Sequence, residues 1–204
     1  MVEVMVIGHR GAMAYEMENS IKSFETGLSM GAKMLEFDVH LTRDGEVVVM
    51  HDERVNRTSN GRGYITQLSL EELKLMKLKD GQDIPTLREV LEKFRGKCQF
   101  NVEIKGRGSS LPSYEIVKEL GMTDDVLFSS FYGPSLLKIK SKDKSARLGC
   151  LSKDRNINIV KIAKSLKAEA VHPINRITTR KLILEAKKDG LNVNVWTVNW
   201  PWRM

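Results

Sequence analysis

Met34-Leu35-Glu36-Phe37-Asp38-Val39-His40-Leu41-Thr42-Arg43-Asp44-Gly45-Glu46-Val47-Val48-Val49-Met50 is the stretch on which the fold reading turns. Its first part is an apolar, β-rich run carrying two carboxylates. Glu36 and Asp38 are two residues apart, so on a strand both point to one face, in register with Met34, while Leu35, Phe37 and Val39 point to the other. Its second part sets Asp-Gly between two extended runs, the strongest short-range hairpin signal. A two-residue Asp44-Gly45 turn would place His51 opposite Asp38.

Outward from this stretch, similar short runs recur at Val4 to Ile7, Phe100 to Ile104, Val126 to Phe131, Arg147 to Leu151, Ala170 to His172 and Val193 to Val198. Helical spacing separates most of them. Ile21, Phe24 and Leu28 form one apolar stripe, and Ile159, Ile162, Ala163 and Leu166 form another. Ser69 with Glu72 and Thr86 with Glu89 are capping boxes that start two further helices. Alternating strands and helices require crossovers that return the chain to the same end of its neighbour, hence a parallel sheet. Seven such strands fit a (β/α) barrel or a doubly wound sheet. The gap from Glu36 to Asn101 is about twice the usual unit and holds an insertion, begun by the hairpin and continued by a loop at Asn56 to Gly63.

Ligands in parallel β/α folds bind at the carboxyl ends of the strands. Here those ends carry Gly8-His9-Arg10-Gly11, Glu36-Phe37-Asp38, His51-Asp52 and Glu103-Ile104-Lys105. Three carboxylates facing one space repel unless a cation or shared protons relieve them, and an all-oxygen set selects a hard divalent ion such as Mg²⁺ or Ca²⁺. His9 and His51 add proton-transfer capacity, and Arg10 and Lys105 are fixed positive charges suited to a phosphate. An ion-pair network closing one end of the sheet is the structural alternative, but so many ionisable groups are costly to gather without a task. His40 is expected at the surface, on the face opposite Asp38. His172 is expected at a pocket rim or as a cap. Trp196 is expected either to wall a substrate pocket or to pack in the core.

Composition narrows the function classes. With 204 residues, 41% hydrophobic and 29% charged, the chain suits a soluble globular domain able to bury roughly 70% of its unfolded surface. Cys98 and Cys150 fit neither a metal nor a redox spacing and read as buried free thiols, as in a reducing cytoplasm. The N-terminus lacks a basic leader, and no apolar stretch approaches the roughly 18 residues of a membrane span. The net charge is +7, with Lys138, Lys140, Lys142, Lys144, Lys161, Lys164 and Lys167 spaced as solvated helix faces. No aromatics interleave them, which argues against nucleic acid as a partner.

The ordered motifs resemble those of the glycerophosphodiester phosphodiesterases, metal-dependent enzymes on a TIM-barrel framework. The resemblance runs through His9-Arg10-Gly11, Glu18-Asn19-Ser20, Leu35-Glu36-Phe37-Asp38-Val39, Thr42-Arg43-Asp44-Gly45, Val49-Met50-His51-Asp52 and Arg57-Thr58. It continues through Ile84-Pro85-Thr86-Leu87, Asn101-Val102-Glu103-Ile104-Lys105, Ser129-Ser130-Phe131 and Trp196-Thr197-Val198-Asn199. It implies hydrolysis of glycerophosphodiesters to glycerol 3-phosphate and an alcohol. Glu36, Asp38 and Glu103 would hold one Mg²⁺ or Ca²⁺, His9 and His51 would be the acid/base pair, and Arg10 and Lys105 would grip the phosphate, with Trp196 beside the substrate. The first nucleophile would be either the glycerol 2-hydroxyl or water.

The expected architecture is thus one TIM-type (β/α) barrel domain over residues 1–204, with a small hairpin and helical insertion at about residues 43–83. Trp196 would lie on the seventh parallel strand and an eighth is not apparent, so either a partner chain such as a second copy, or Trp200 and Trp202, would cover the open edge, or the sequence is that of a truncated product. A lysophospholipase D would need an apolar groove, for which Tyr64, Met76, Leu78 and Trp196 are candidates. A non-catalytic headgroup-binding protein would have no use for the histidine pair.

Overall fold

The computed structural model describes residues 4–199. They divide into two compact units, Met5–Val126 and the segment from Leu127 onward together with Val4. Trp200 and Trp202 lie outside the described residues.

In the first unit β1 (Ile7–His9), β2 (Met34–Leu41) and β4 (Gln99–Ile104) are parallel, in the order β1-β2-β4, while β3 (Val47–Val49) runs antiparallel on β2. The helices are α1 (Ile21–Ser29), α2 (Leu70–Lys74), α3 (Leu87–Phe94) and α4 (Ser110–Glu119). Ser20 caps α1, and both expected capping boxes form, at Ser69 for α2 and Thr86 for α3. Along β2, Phe37 points away from the carboxylates and joins an aromatic cluster. Its ring centroid is 5.4 Å from Phe24 of α1 and 6.3 Å from Phe100 of β4, and Phe24 is 6.0 Å from Phe94 of α3. This packing locks α1 and α3 onto the face of the sheet that carries no chemistry.

The second unit, which takes β5 (Val126–Ser130) from Leu127 onward, repeats the pattern with α5 (Gly133–Lys142), β6 (Arg147–Ser152), α6 (Ile159–Ser165), β7 (Ala170–Pro173), α7 (Arg180–Lys188) and β8 (Asn192–Val193). Its strands pair in parallel from β5 through β8. Seven parallel strands are therefore present among the described residues. The lysines of α5 and α6 are exposed apart from Lys140, whose Nζ donates to the Ala146 carbonyl at 2.9 Å.

Several local expectations need correction. The first strand begins at Ile7, and Val4, Met5 and Val6 precede it exposed. The last strand stops at Val193, leaving Trp196 with a single bridge to Ile174. The hairpin turn has three residues. Thr42 N donates to the Glu46 carbonyl at 2.9 Å around Arg43-Asp44-Gly45, with Gly45 left-handed at φ 89°. The ladder is shifted by one place, so Val39 pairs with Val49, and Met50 rather than His51 donates its N–H to Asp38 O, at 3.0 Å. An Asp-Gly pair serves two- and three-residue loops alike, because both place a glycine at positive φ. Cys150 is buried as expected, but Cys98, just before β4, is only half-buried; both are free.

The insertion has its own apolar centre. Val48, Met50, Val55, Ile65, Leu73, Leu78 and Ile84 pack together, with Met76 against them. Leu78 and Met76 are thus core residues rather than the walls of a groove.

Candidate active site

The turn after β1 positions the first group of polar residues. Arg10 and Gly11 are left-handed at φ 50° and 79°. In that conformation Arg10 N donates to Glu36 Oε2 at 2.8 Å, while Arg10 O accepts from Ser23 Oγ at 2.9 Å and Asn19 N at 3.1 Å. A left-handed Arg is costly and persists where the surroundings hold it, here by three hydrogen bonds. Gly11 is required twice over, by its φ and because a Cβ there would lie 2.6 Å from the Ser23 carbonyl oxygen. Gly11→Ala is expected to destabilise the protein by about 2–4 kcal/mol, from strain plus overpacking. Urea unfolding measures it, and a loss below about 0.5 kcal/mol, the ordinary surface scale, would contradict the account.

Glu36 and Asp38 of β2 and Glu103 of β4 lie on one side of the sheet, with Asp38 directly beside Glu103 in the parallel register. They are 7%, 1% and 7% exposed, and one oxygen from each lies within 4.8 Å of the others. Burial, then the charges of Asp38 and Glu103, push the Glu36 carboxyl well above its ordinary range. Burial and the Asp38 charge push Glu103 up to about 7, against the pull of Lys105. Lys105 Nζ is 3.5 Å from both Asp38 Oδ1 and Glu103 Oε1, and Arg10 Nε is 3.5 Å from Asp38 Oδ2. With all three carboxylates ionised, the two cations leave the cluster short of one positive charge.

A divalent cation fits this set. All the donors are oxygens, as a hard ion requires, and Asn101, two residues before Glu103 on β4, has a buried Oδ1 with no hydrogen-bond partner. A cation would relieve the like-charge repulsion that raises the two glutamates.

Both expected histidines are present beside the carboxylates. His9 Nε2 is 3.9 Å from Glu36 Oε2, and burial with the Arg10 charge lowers its pKa to about 4, so it is neutral at pH 7. His51 follows β3, with Nδ1 2.6 Å from Asp52 Oδ1 and Nε2 2.7 Å from Lys105 Nζ. His40 is not at the surface. It lies two residues after Asp38, hence on the same face of β2, is buried, and its Nε2 lies 3.1 Å from the His51 carbonyl oxygen. It braces the chain at His51.

His9, Arg10, Glu36, Asp38, His51, Glu103 and Lys105 all belong to the first unit. Trp196 belongs to the second, where its Nε1 donates to His172 O at 2.8 Å and its ring meets Phe131 edge-on at 5.6 Å. His172 is buried rather than at a rim, and burial lowers its pKa to about 4. Three polar residues to which the sequence assigns no role also join the site. Asn19 Nδ2 donates to Asp38 Oδ2 at 3.0 Å, Glu18 accepts from Arg10 Nη1 at 3.1 Å, and Arg57 links Glu18 to Asp52. Their only sequence signal is that they fall within the family motifs.

The profile of the glycerophosphoryl diester phosphodiesterase family matches residues 9–204. A glycerophosphodiester phosphodiesterase from Caldanaerobacter subterraneus subsp. tengcongensis is 34% identical over 97% of this chain and 87% of its own. The structure of a Thermotoga maritima glycerophosphodiester phosphodiesterase is 31% identical, with TM-score 0.85, over 100% of this chain and 89% of its own. That of an Oleispira antarctica phosphodiesterase in complex with sn-glycerol-3-phosphate is 26% identical, with TM-score 0.89, over 98% of this chain and 87% of its own. These likenesses bear out the TIM-type α/β class with its hairpin strand after β2.

Proposed function

The chain belongs to the glycerophosphoryl diester phosphodiesterase family, and on that premise we propose that it hydrolyses small glycerophosphodiesters with one Mg²⁺ or Ca²⁺ held by Glu36, Asp38 and Glu103. It is a phosphoric diester hydrolase. The observation that carries the metal-dependent reading is the trio of buried carboxylates, each within 4.8 Å of the others, with cations and histidines around it. The product in the Oleispira relative, sn-glycerol-3-phosphate, supports the substrate class. No helix among the described residues is long and apolar enough to cross a membrane, and the two free thiols suit a cytoplasmic setting.

The bound ion would supply charge neutralisation at the phosphoryl oxygens. Arg10 and Lys105 bind the phosphate from the chain's side, their charges already set among the carboxylates. One histidine of the pair His9 and His51 takes the proton of the attacking oxygen as its bond to phosphorus forms. The other, which must carry a proton on its substrate-facing nitrogen for this step, gives that proton to the alcohol as the opposite phosphorus–oxygen bond breaks.

Release of glycerol 3-phosphate from glycerophosphocholine and glycerophosphoethanolamine, with Mg²⁺, with Ca²⁺ and with chelator, tests this reading. Turnover with metal and none with chelator is expected. A folded protein that turns over neither substrate with either ion contradicts it, and turnover of lysophosphatidylcholine alone would reassign the substrate to the longer lipid.

A further inference from the structure

Arg57 takes no part in the chemistry above, yet it joins two segments that do. Its Nε donates to Asp52 Oδ2 at 2.6 Å and its Nη2 to Asp52 Oδ1 at 3.2 Å. Nη1 and Nη2 donate to Glu18 Oε2 and Oε1 at 2.9 and 2.6 Å. Past Asp52 lies His51 Nδ1, at 2.6 Å, and past Glu18 lies Arg10 Nη1, at 3.1 Å. One line of charge-assisted hydrogen bonds therefore runs from Arg10 through Glu18, Arg57 and Asp52 to His51. Its middle is anchored by the insertion. Arg57 ends the 3₁₀ turn Val55–Arg57, whose Val55 is wholly buried in the apolar centre and donates its N–H to the Gly63 carbonyl at 3.1 Å.

We propose that Arg57 is a positioning residue for the hydrolysis, orienting His51 through Asp52 and Arg10 through Glu18. The inference rests on the roles assigned above to His51 and Arg10. A carboxylate only accepts hydrogen bonds, so Asp52 fixes the hydrogen of His51 on Nδ1 and leaves Nε2, which accepts from Lys105, as the atom that exchanges a proton. Arg57 holds Asp52 by both oxygens and so fixes the plane in which that imidazole lies. With Arg57 removed, Asp52 keeps its charge but loses its orientation, and Glu18 is held by Arg10 alone.

The test is kcat and KM for glycerophosphocholine with Mg²⁺ in Arg57→Ala, Arg57→Lys, Asp52→Asn, His51→Ala and the His51→Ala/Arg57→Ala double variant. Each is assayed with and without added guanidinium. Arg57→Ala is expected to lower kcat about 10- to 100-fold, the range for loss of an outer partner, with KM little changed. The Arg57 side chain is 48% exposed, so free guanidinium can enter the vacated place and restore part of kcat. A lysine has one ammonium and cannot span both carboxylates, so Arg57→Lys stays low. Asp52→Asn shows the same fall in kcat without rescue. In the His51→Ala background, removing Arg57 costs less than it does alone, because one of the two groups it orients is gone and only the Glu18–Arg10 branch remains to be disturbed. An Arg57→Ala enzyme with unchanged kcat, or with KM raised and kcat intact, overturns the proposal. So does a full additional loss in the double variant. If His51→Ala itself keeps full activity, the acid/base reading fails and the proposal with it; if only His51→Ala is impaired, the positioning role alone fails.

Discussion

His51→Ala lowers kcat by about a hundred- to ten-thousand-fold, the usual contribution of a positioned acid or base. The imidazole bridges the Asp52 carboxylate and the Lys105 ammonium, and alanine has no group with which to exchange a proton there. The fold has little reason to fail. The side chain is partly exposed, the Asp52–Arg57 pair does not need it, and the His40 contact is to the His51 backbone, which alanine retains. Steady-state kinetics with glycerophosphocholine, beside a melting curve, measure the effect. A variant within about tenfold of wild type would remove His51 from the chemistry, since it falls below the range for such a group. His9→Ala is expected to behave alike.

Glu36→Gln is the second large effect, with opposite consequences for activity and stability. The amide oxygen can still accept from Arg10 N–H, as Glu36 Oε2 does at 2.8 Å, so the turn after β1 is kept. The charge that helps to hold the cation is lost, and activity falls by at least about 100-fold, the upper end of what losing a mere outer-shell partner costs. Without metal, the same substitution stabilises the protein at alkaline pH. Burial and like charges raise Glu36, and they raise Glu103 to about 7. A carboxyl with a raised folded-state pKa carries no penalty below its unfolded pKa, and its ionisation destabilises the fold as pH rises from there to the folded value. The metal-free wild type therefore loses stability as pH climbs from the ordinary carboxylate range up to about 7, by the Glu103 value, and Glu36→Gln loses less. Melting temperatures at pH 5 and pH 8.5 in chelator check the sign. A variant less stable than wild type at pH 8.5 would contradict the repulsion argument.

The carboxylate trio is legible in the sequence because it rests on the shortest-range rule available. Side chains alternate along a strand, so Glu36 with Asp38, and Glu103 with Lys105, must share faces. His40 obeys the same rule: two residues from Asp38, it shares that face, so the expectation that it points the opposite way misapplies the alternation, and the surface expectation fails because the strand that carries it is buried on both faces. The hairpin is legible as a hairpin and not in its register, since Asp-Gly does not distinguish a two-residue from a three-residue loop. Even so, His51 reaches the site, because the strand exit that carries it continues past the shifted ladder to Lys105. The line through Glu18, Arg57 and Asp52 is beyond the reach of local pattern. Glu18 and Arg57 are 39 residues apart, in loops whose meeting depends on how the insertion packs around Val55 and Ile65. Trp196 marks another limit, since a segment that looks like regular strand in sequence is joined to its neighbour by an isolated bridge at Ile174 and by its indole contacts with His172 and Phe131.

Titration calorimetry of Mg²⁺ and Ca²⁺ into the metal-free protein at pH 7, in two buffers of different ionisation enthalpy, tests the central claim most directly. The account predicts one ion per chain, and protons released to the buffer as the cation displaces them from Glu36 and Glu103, whose carboxyls are raised by burial and by neighbouring carboxylates. Glu36→Gln should weaken that binding sharply. No binding of either ion by the folded protein, or binding as tight in Glu36→Gln as in wild type, would show that these carboxylates are not the cation site.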